Sequence, residues 1–282
     1  MPETAHALAT SPLEVLTVEV AELGAYPDLL GDIYRRRYTG AIVRRVFEPR
    51  AMADLAARLA AGLDGMPRAV APTFKGGLYG TPLVMGSEDL ADYLGDADRF
   101  RAAIAPLFAA TGGLEQRIES VLGQISGGLP VEVARAADGR GYVPATIRVL
   151  VEGDSLPIHY ENGTTRYASM KRLLPQVDAE TIMSFYAPVA LPEAGGILEV
   201  FTTDCSGDGD RIINDLGGPE RARAVLAERG RIEVLPGVGD LLLFDGGRHY
   251  HLVTEVRGNR ARWTLGGFFA FAKHHDRILY WS

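Results

Sequence analysis

Eight short runs rich in β-branched, aromatic and leucine residues, separated by turn residues, constrain this chain's fold more than any other feature. They cover residues 142–151, 156–160, 181–189, 196–201, 231–235, 240–245, 249–256 and 262–272. Strands this short at this spacing predict a jelly roll or barrel. The first half reads differently. Helical periodicity runs through residues 27–38, 49–63, 96–110 and 113–125, with Pro49 in a first turn and Gly127-Gly128 closing the last helix. Residues 40–47 (GAIVRRVF) read as a strand. The expected fold is mainly β with helical additions: a helix-rich N-terminal region, 1–140, packed on a β core, 141–282, as one integrated domain. A short helix is expected at 167–174. The Gly- and Asp-rich stretch 202–230, with a helix at 219–229, has the length of a lid or binding loop. It is expected, with the helical half, to wall a pocket.

Composition narrows the function. Of the 282 residues 47% are hydrophobic, which supplies a sizeable core. Net charge is −7 with both signs interspersed and no basic stripe, which argues against nucleic acid. One cysteine, Cys205, excludes an internal disulfide. Residues 1–12 lack a basic segment followed by an apolar one, so no secretory signal is expected. No apolar run approaches the roughly 18 residues that would span a bilayer. A soluble, cytoplasmic protein with a small-molecule substrate and no membrane partner is expected. Nothing in the residues specifies an oligomeric state.

The chemistry concentrates at His159-Tyr160-Glu161 and His251. If His159 and Glu161 share a strand, the period of two points both side chains the same way. Two imidazoles and one carboxylate can then hold one face of a metal and leave the opposite positions open. Short His-x-acid strings arise readily by chance, but this one follows the apolar run Arg148-Val149-Leu150-Val151 and a Gly153-Asp154 turn. His251 follows the buried-strand sequence LLLF (241–244). Arg262 and Thr264 stand on the next strand, two apart and therefore on one side. A planar guanidinium there suits a carboxylate, and the hydroxyl can add a hydrogen bond.

The stretch from Arg148 to Phe271 resembles the catalytic core of iron(II)/2-oxoglutarate-dependent oxygenases. The matching pieces are RVLVEGDSLPIHYE, PEAGGILEVF and GDLLLFDGGRHYHLVTEVRGNRARWTLGGFF. Bacterial small-molecule hydroxylases and carrier-independent halogenases acting on amino acids and alkaloids are the nearest relatives suggested. The resemblance implies a double-stranded β-helix, with His159, Glu161 and His251 holding Fe(II). It implies that Arg262 takes the distal carboxylate of the 2-oxoglutarate cosubstrate, with Thr264 where the pattern carries Ser or Thr, and that O2 is consumed. The family more often has Asp where Glu161 stands, and its halogenases replace that carboxylate with Gly or Ala so that halide can bind. Glu161 keeps the position filled. The implied reaction is therefore hydroxylation of an unactivated C–H bond, or desaturation, cyclisation or epimerisation, rather than halogenation.

Other residues compete for roles. His249 faces the same way as His251 on an ideal strand; it is expected to be either a group supporting the ligands or a polar residue at the barrel rim. Arg148, Arg166 and Tyr142 are candidate contacts near the site, each equally explained as structural. Arg260 reads as solvent-facing, and His274 and His275 as surface residues. The acidic stretch 204–215 has calcium-loop alternation at Asp204, Ser206, Asp208 and Asp210, but Asp215 stands where a bidentate Glu is expected and no helix leads in. A flexible surface loop is the plainer reading. Two rival functions remain: a zinc-dependent hydrolase using the same His2Glu set, which gives Arg262 no partner, and a non-catalytic jelly-roll binding protein.

Overall fold

The computed structural model describes residues 13–62, 65–70, 74–86, 89–109, 112–205 and 209–282. The expectation about the start of the chain, and Ser206 and Asp208 of the acidic stretch, lie outside these residues.

All eight expected strands are present. They are β6 (Thr146–Leu150), β7 (Leu156–His159), β8 (Met183–Ala190), β9 (Leu198–Asp204), β10 (Arg231–Val234), β11 (Leu241–Phe244), β12 (His249–Val253) and β13 (Arg262–Phe271). They form two antiparallel layers, β11-β8-β13-β6 and β10-β9-β12-β7. Consecutive strands alternate between the two sheets except β9 and β10, which pair within the smaller one, and this is the double-stranded β-helix expected above. The layers meet on Leu150, Leu156, Leu198, Val200, Leu242, Phe244 and Val253.

The first half mixes the helices that periodicity predicts with short strands, of which only 40–47 was expected. It contains α1 (Leu29–Tyr34), α2 (Pro49–Ala61), α3 (Leu90–Phe108) and α4 (Leu114–Gln124). Five short strands accompany them: β1 (Val15–Glu19), β2 (Gly40–Arg44), β3 (Arg68–Ala69), β4 (Gly77–Tyr79) and β5 (Val131–Val133). With β14 (Ile278–Trp281), they extend the larger layer to a ten-stranded sheet. Helix α2 starts on Pro49 and stops at Gly62, whose φ of 88° suits glycine. Helix α3 begins earlier than expected because the Asp89 side chain accepts a hydrogen bond from Ala91 N at 2.8 Å, capping the helix.

The helices explain the unbroken apolar run of β11. Leu241 and Leu243 face the helix-covered side, with Met52, Leu55, Phe100 and Phe185, whereas Leu242 and Phe244 face the barrel interior. A strand buried on both sides needs no polar alternation. The smaller layer is covered differently. Helices α5 (Gly209–Asp215) and α6 (Pro219–Arg229) pack on its outer face against Ile158, Phe201, Tyr250 and Leu252. The long insertion is therefore a cover for the second sheet. No helix among the described residues is long and apolar enough to cross a membrane.

A buried ion pair ties the loop that crosses from β11 to β12 to the first helix. Arg248 Nε donates to Asp245 Oδ2 at 2.5 Å, and its Nη2 donates to the carbonyls of Ile33 and Tyr34 at 3.3 and 2.8 Å. Thr181 Oγ1 donates to the other Asp245 oxygen. Both charged side chains are almost fully enclosed. Arg248→Ala should lower unfolding free energy by about 3 kcal/mol, since it strands a buried carboxylate; chemical denaturation measures it.

Candidate metal centre

Strand pairing builds the site. His159 and His251 are direct partners in the antiparallel β7–β12 register, so their rings lie on one face with centroids 4.2 Å apart. Glu161 reaches the same place by a different route from the one expected. Strand β7 ends at His159, and Glu161 is the first residue of a 3₁₀ turn, Glu161–Arg166. Tyr160 between them is still extended (φ −149°, ψ 146°), so the alternation survives. Tyr160 turns outward onto Tyr250, with ring centroids 5.7 Å apart, and Glu161 turns inward. Glu161 N donates to the Gly246 carbonyl at 2.8 Å, fixing the turn against the loop before His251.

One ligand atom from each of His159, Glu161 and His251 lies within 4.8 Å of the others. His251 Nε2 and Glu161 Oε1 are 3.3 Å apart; two donors about 2.1 Å from one ion at right angles stand about 3 Å apart. His159 Nδ1–H donates to the Pro157 carbonyl at 2.7 Å, and His251 Nδ1–H donates to the His249 carbonyl at 2.9 Å. A carbonyl only accepts, so these bonds place a proton on Nδ1 and turn each Nε2 to the centre, where a bound metal would replace any proton it carries. Burial, reinforced by the charge of His251, lowers the His159 pKa to about 4. Burial pushes the Glu161 carboxyl up, but hydrogen bonding and charge from His251, with His159 and Ser184, outweigh it and hold the pKa at about 2. Near neutral pH, His159 is thus uncharged and Glu161 ionised, the forms that bind a divalent cation.

The other end of the same cavity, whose volume is about 360 Å³, is cationic. Arg262 and Thr264 on β13 are buried, and Arg262 Nη1 lies 3.4 Å from Thr264 Oγ1. The guanidinium sits 5.3 Å from the Tyr186 ring centroid. Gly196 leaves room for it, because a Cβ there would stand 2.8 Å from Arg262 Cδ. Arg148 is the in-register partner of Thr264 on β6, and its buried Nε has no hydrogen-bond partner. Burial lowers the pKa of both arginines. Among the described residues neither forms an ion pair with a carboxylate. Two enclosed cations without counter-ions beside three metal donors fit a metal-chelating dicarboxylate.

Three candidates fall outside the cavity. The β12–β9 register shifts between His249 and His251, with the extra residues on β9. His249 Nδ1 instead lies 3.3 Å from the Phe201 carbonyl, and the side chain does not line the cavity. Arg166 pairs with Asp210 on α5 and lies over the Tyr167 ring, half exposed. Tyr142 packs edge-on against Tyr93, with ring centroids 5.6 Å apart, and borders a separate surface cleft. No described residue of the insertion 202–230 lines the cavity either. Two of its acids are held by arginines, Asp204 by Arg36 and Asp210 by Arg166.

Two residues that matter went unnoticed in the sequence. Ser184 Oγ donates to Glu161 Oε1 at 2.8 Å. Its signal was a lone hydroxyl at an inward position of an otherwise apolar strand. Gly246 is the other: a Cβ there would lie 2.7 Å from Glu161 Cγ. The Gly-Gly pair just before the histidines was its only trace.

A jelly roll enclosing two histidines, a carboxylate and a buried arginine is the working arrangement of iron(II)- and 2-oxoglutarate-dependent oxygenases, and the chain is an enzyme of this class. Within that class, residues 12–282 match the carrier-protein-independent halogenase WelO5 family, and the chain belongs to it. Among solved structures it is similar to an N-substituted L-amino acid dioxygenase of Burkholderia ambifaria in complex with α-ketoglutarate. Identity is 12%, the TM-score 0.52, and the match covers 93% of this chain and 90% of that one. It is also similar to a 2OG-Fe(II) oxygenase-family oxidoreductase of Burkholderia pseudomallei, at 14% identity and TM-score 0.47, over 92% and 95% of the two chains. A Pseudomonas putida prolyl-4-hydroxylase matches at 17% identity and TM-score 0.41, over 88% and 98%. At 12% identity the first of these likenesses speaks to the fold alone. No curated protein sequence matches the chain.

Gly246→Ala should push Glu161 off the centre. An apparent loss of about tenfold in metal affinity is expected, with the far-ultraviolet circular dichroism of the wild type retained. Metal titration of the two proteins measures it.

Proposed function

We propose that this protein hydroxylates an unactivated C–H bond of a small, uncharged and largely apolar natural product. The observation that carries the reading is the ionised Glu161 carboxylate kept beside the two histidines. His159, Glu161 and His251 would hold iron(II). Arg262, with Thr264, would take the distal carboxylate of 2-oxoglutarate, and Arg148 offers a second guanidinium to an anionic oxygen at the same cavity. Bound there, iron and cosubstrate supply the oxidising power, consuming dioxygen and yielding succinate and carbon dioxide.

The chain's own residues set direction and selectivity. Glu161 fills the coordination position that halide needs, which favours oxygen insertion over halogenation. Arg262 is held by Thr264, by Tyr186 and by the space above Gly196, so the cosubstrate enters in one orientation. Phe244 stands edge-on to His251, with ring centroids 5.0 Å apart, and keeps water from that side.

The rest of the lining speaks to substrate. Phe74, Leu78, Val84, Met85, Leu156 and Phe268 are apolar. Apart from the residues assigned above, no charged side chain lines the cavity among the described residues. A free amino acid would bury its ammonium and carboxylate without partners, so a neutral ligand fits better than an amino-acid-like one. A zinc hydrolase with the same three donors would leave Arg148 and Arg262 without counter-ions.

His159→Ala and His251→Ala should each abolish conversion of 2-oxoglutarate to succinate, followed by mass spectrometry; undiminished turnover by both would refute the reading. Arg262→Ala should raise KM for 2-oxoglutarate roughly 10- to 100-fold, the worth of a lost hydrogen bond to a charged group. Its KM for metal should hardly change.

A further inference from the structure

Glu161 poses a problem that a shorter acid would not. Its extra methylene adds a rotatable bond, and a loose carboxylate can turn to grip an ion through both oxygens. An ion held by His159, Glu161 and His251 would need its remaining positions for cosubstrate and dioxygen, and a second oxygen from Glu161 would compete for one of them.

We infer that Ser184 is a positioning residue that holds Glu161 to a single metal-facing oxygen. The inference rests on the metal-centre reading above. The hydroxyl of Ser184 donates to Oε1 at 2.8 Å. The same Oε1 is the carboxylate oxygen 3.3 Å from His251 Nε2, so the serine fixes the oxygen that faces the ligand set, and no hydrogen bond from a described residue reaches Oε2 to turn it there. Ser184 is buried, faces the cavity and is in register with Phe244 on one side and Phe268 on the other. Apolar neighbours on both flanks keep water from competing for its one strong acceptor. The glutamate is thereby fixed at both ends, its amide by the Gly246 carbonyl and its head by Ser184. Gly246 serves both bonds, since a Cβ there would stand 3.0 Å from Ser184 Oγ as well as against Glu161. In this arrangement β8, which supplies no ligand, sets how the ligand from the β7 end is presented.

The test uses the full chain, anaerobic, with Co(II) as the probe, so that ligand field and affinity are read without turnover. Ser184→Ala is expected to weaken Co(II) binding about tenfold and to change the shape of the visible absorption. Ser184→Thr keeps the hydroxyl and is expected to restore both. Unchanged circular dichroism in the variants keeps the comparison at the site. Superimposable titrations and spectra for wild type and Ser184→Ala overturn the inference, and so does Ser184→Thr behaving like Ser184→Ala. A wild type that binds no Co(II) overturns the metal-centre reading itself, whatever the variants do.

Discussion

The pairing of β7 with β12 is the constraint on which the rest depends. Side chains directly opposed in an antiparallel ladder share a face, so the single partnership of His159 with His251 sets two of the three ligands. A slip of one residue would turn one of them outward. The register is held by apolar groups on both faces of this sheet. Leu156 and Val253 point into the barrel, while Ile158, Tyr250 and Leu252 point to the cover formed by α5 and α6. Shifting either strand would bury a histidine among aliphatic groups on the outside and expose none of that apolar surface to better use. The insertion that the sequence suggested as a lid thus acts at one remove, by fixing which way the ligands face.

Buried cations are treated in two ways in this molecule. Arg248 is matched internally, with Asp245 and two helix carbonyls satisfying its donors. Arg148 and Arg262 are enclosed without a carboxylate. The first arrangement builds the turn that carries Gly246 and His251. The second holds free energy in reserve for an anion, because a dicarboxylate arriving there replaces lost hydration with charge-assisted hydrogen bonds. On the proposed reading, such cations opposite metal donors let the two ends of the cavity recognise one bifunctional molecule.

Much of this was legible from residues alone, for local reasons. Strands β6–β13 announced themselves because turn residues bound them and their inward and outward positions differ. The His-x-Glu pair was legible because the period of two carries through Tyr160 even where the strand stops. What escaped notice is what depends on distant partners. β3 is two residues long and exists only because β4 pairs with it; β5 and β14 likewise draw their conformation from neighbours. The register shift beside His249, which does not line the cavity, leaves no mark in composition. Tyr142 opens a β-rich run, yet the strand starts at Thr146 and the phenol turns to Tyr93. Ser184 was unreadable until the facing of β8 was known.

The most direct test of the central claim is an anaerobic titration of the metal-free protein with Fe(II) and 2-oxoglutarate, watched in the visible spectrum. A keto acid chelating iron through its keto and carboxylate oxygens gives a charge-transfer band. The account predicts that band in the wild type only when both components are present, and its loss when either histidine ligand is removed. No band with the wild type, or an undiminished one in His159→Ala and His251→Ala, would contradict it.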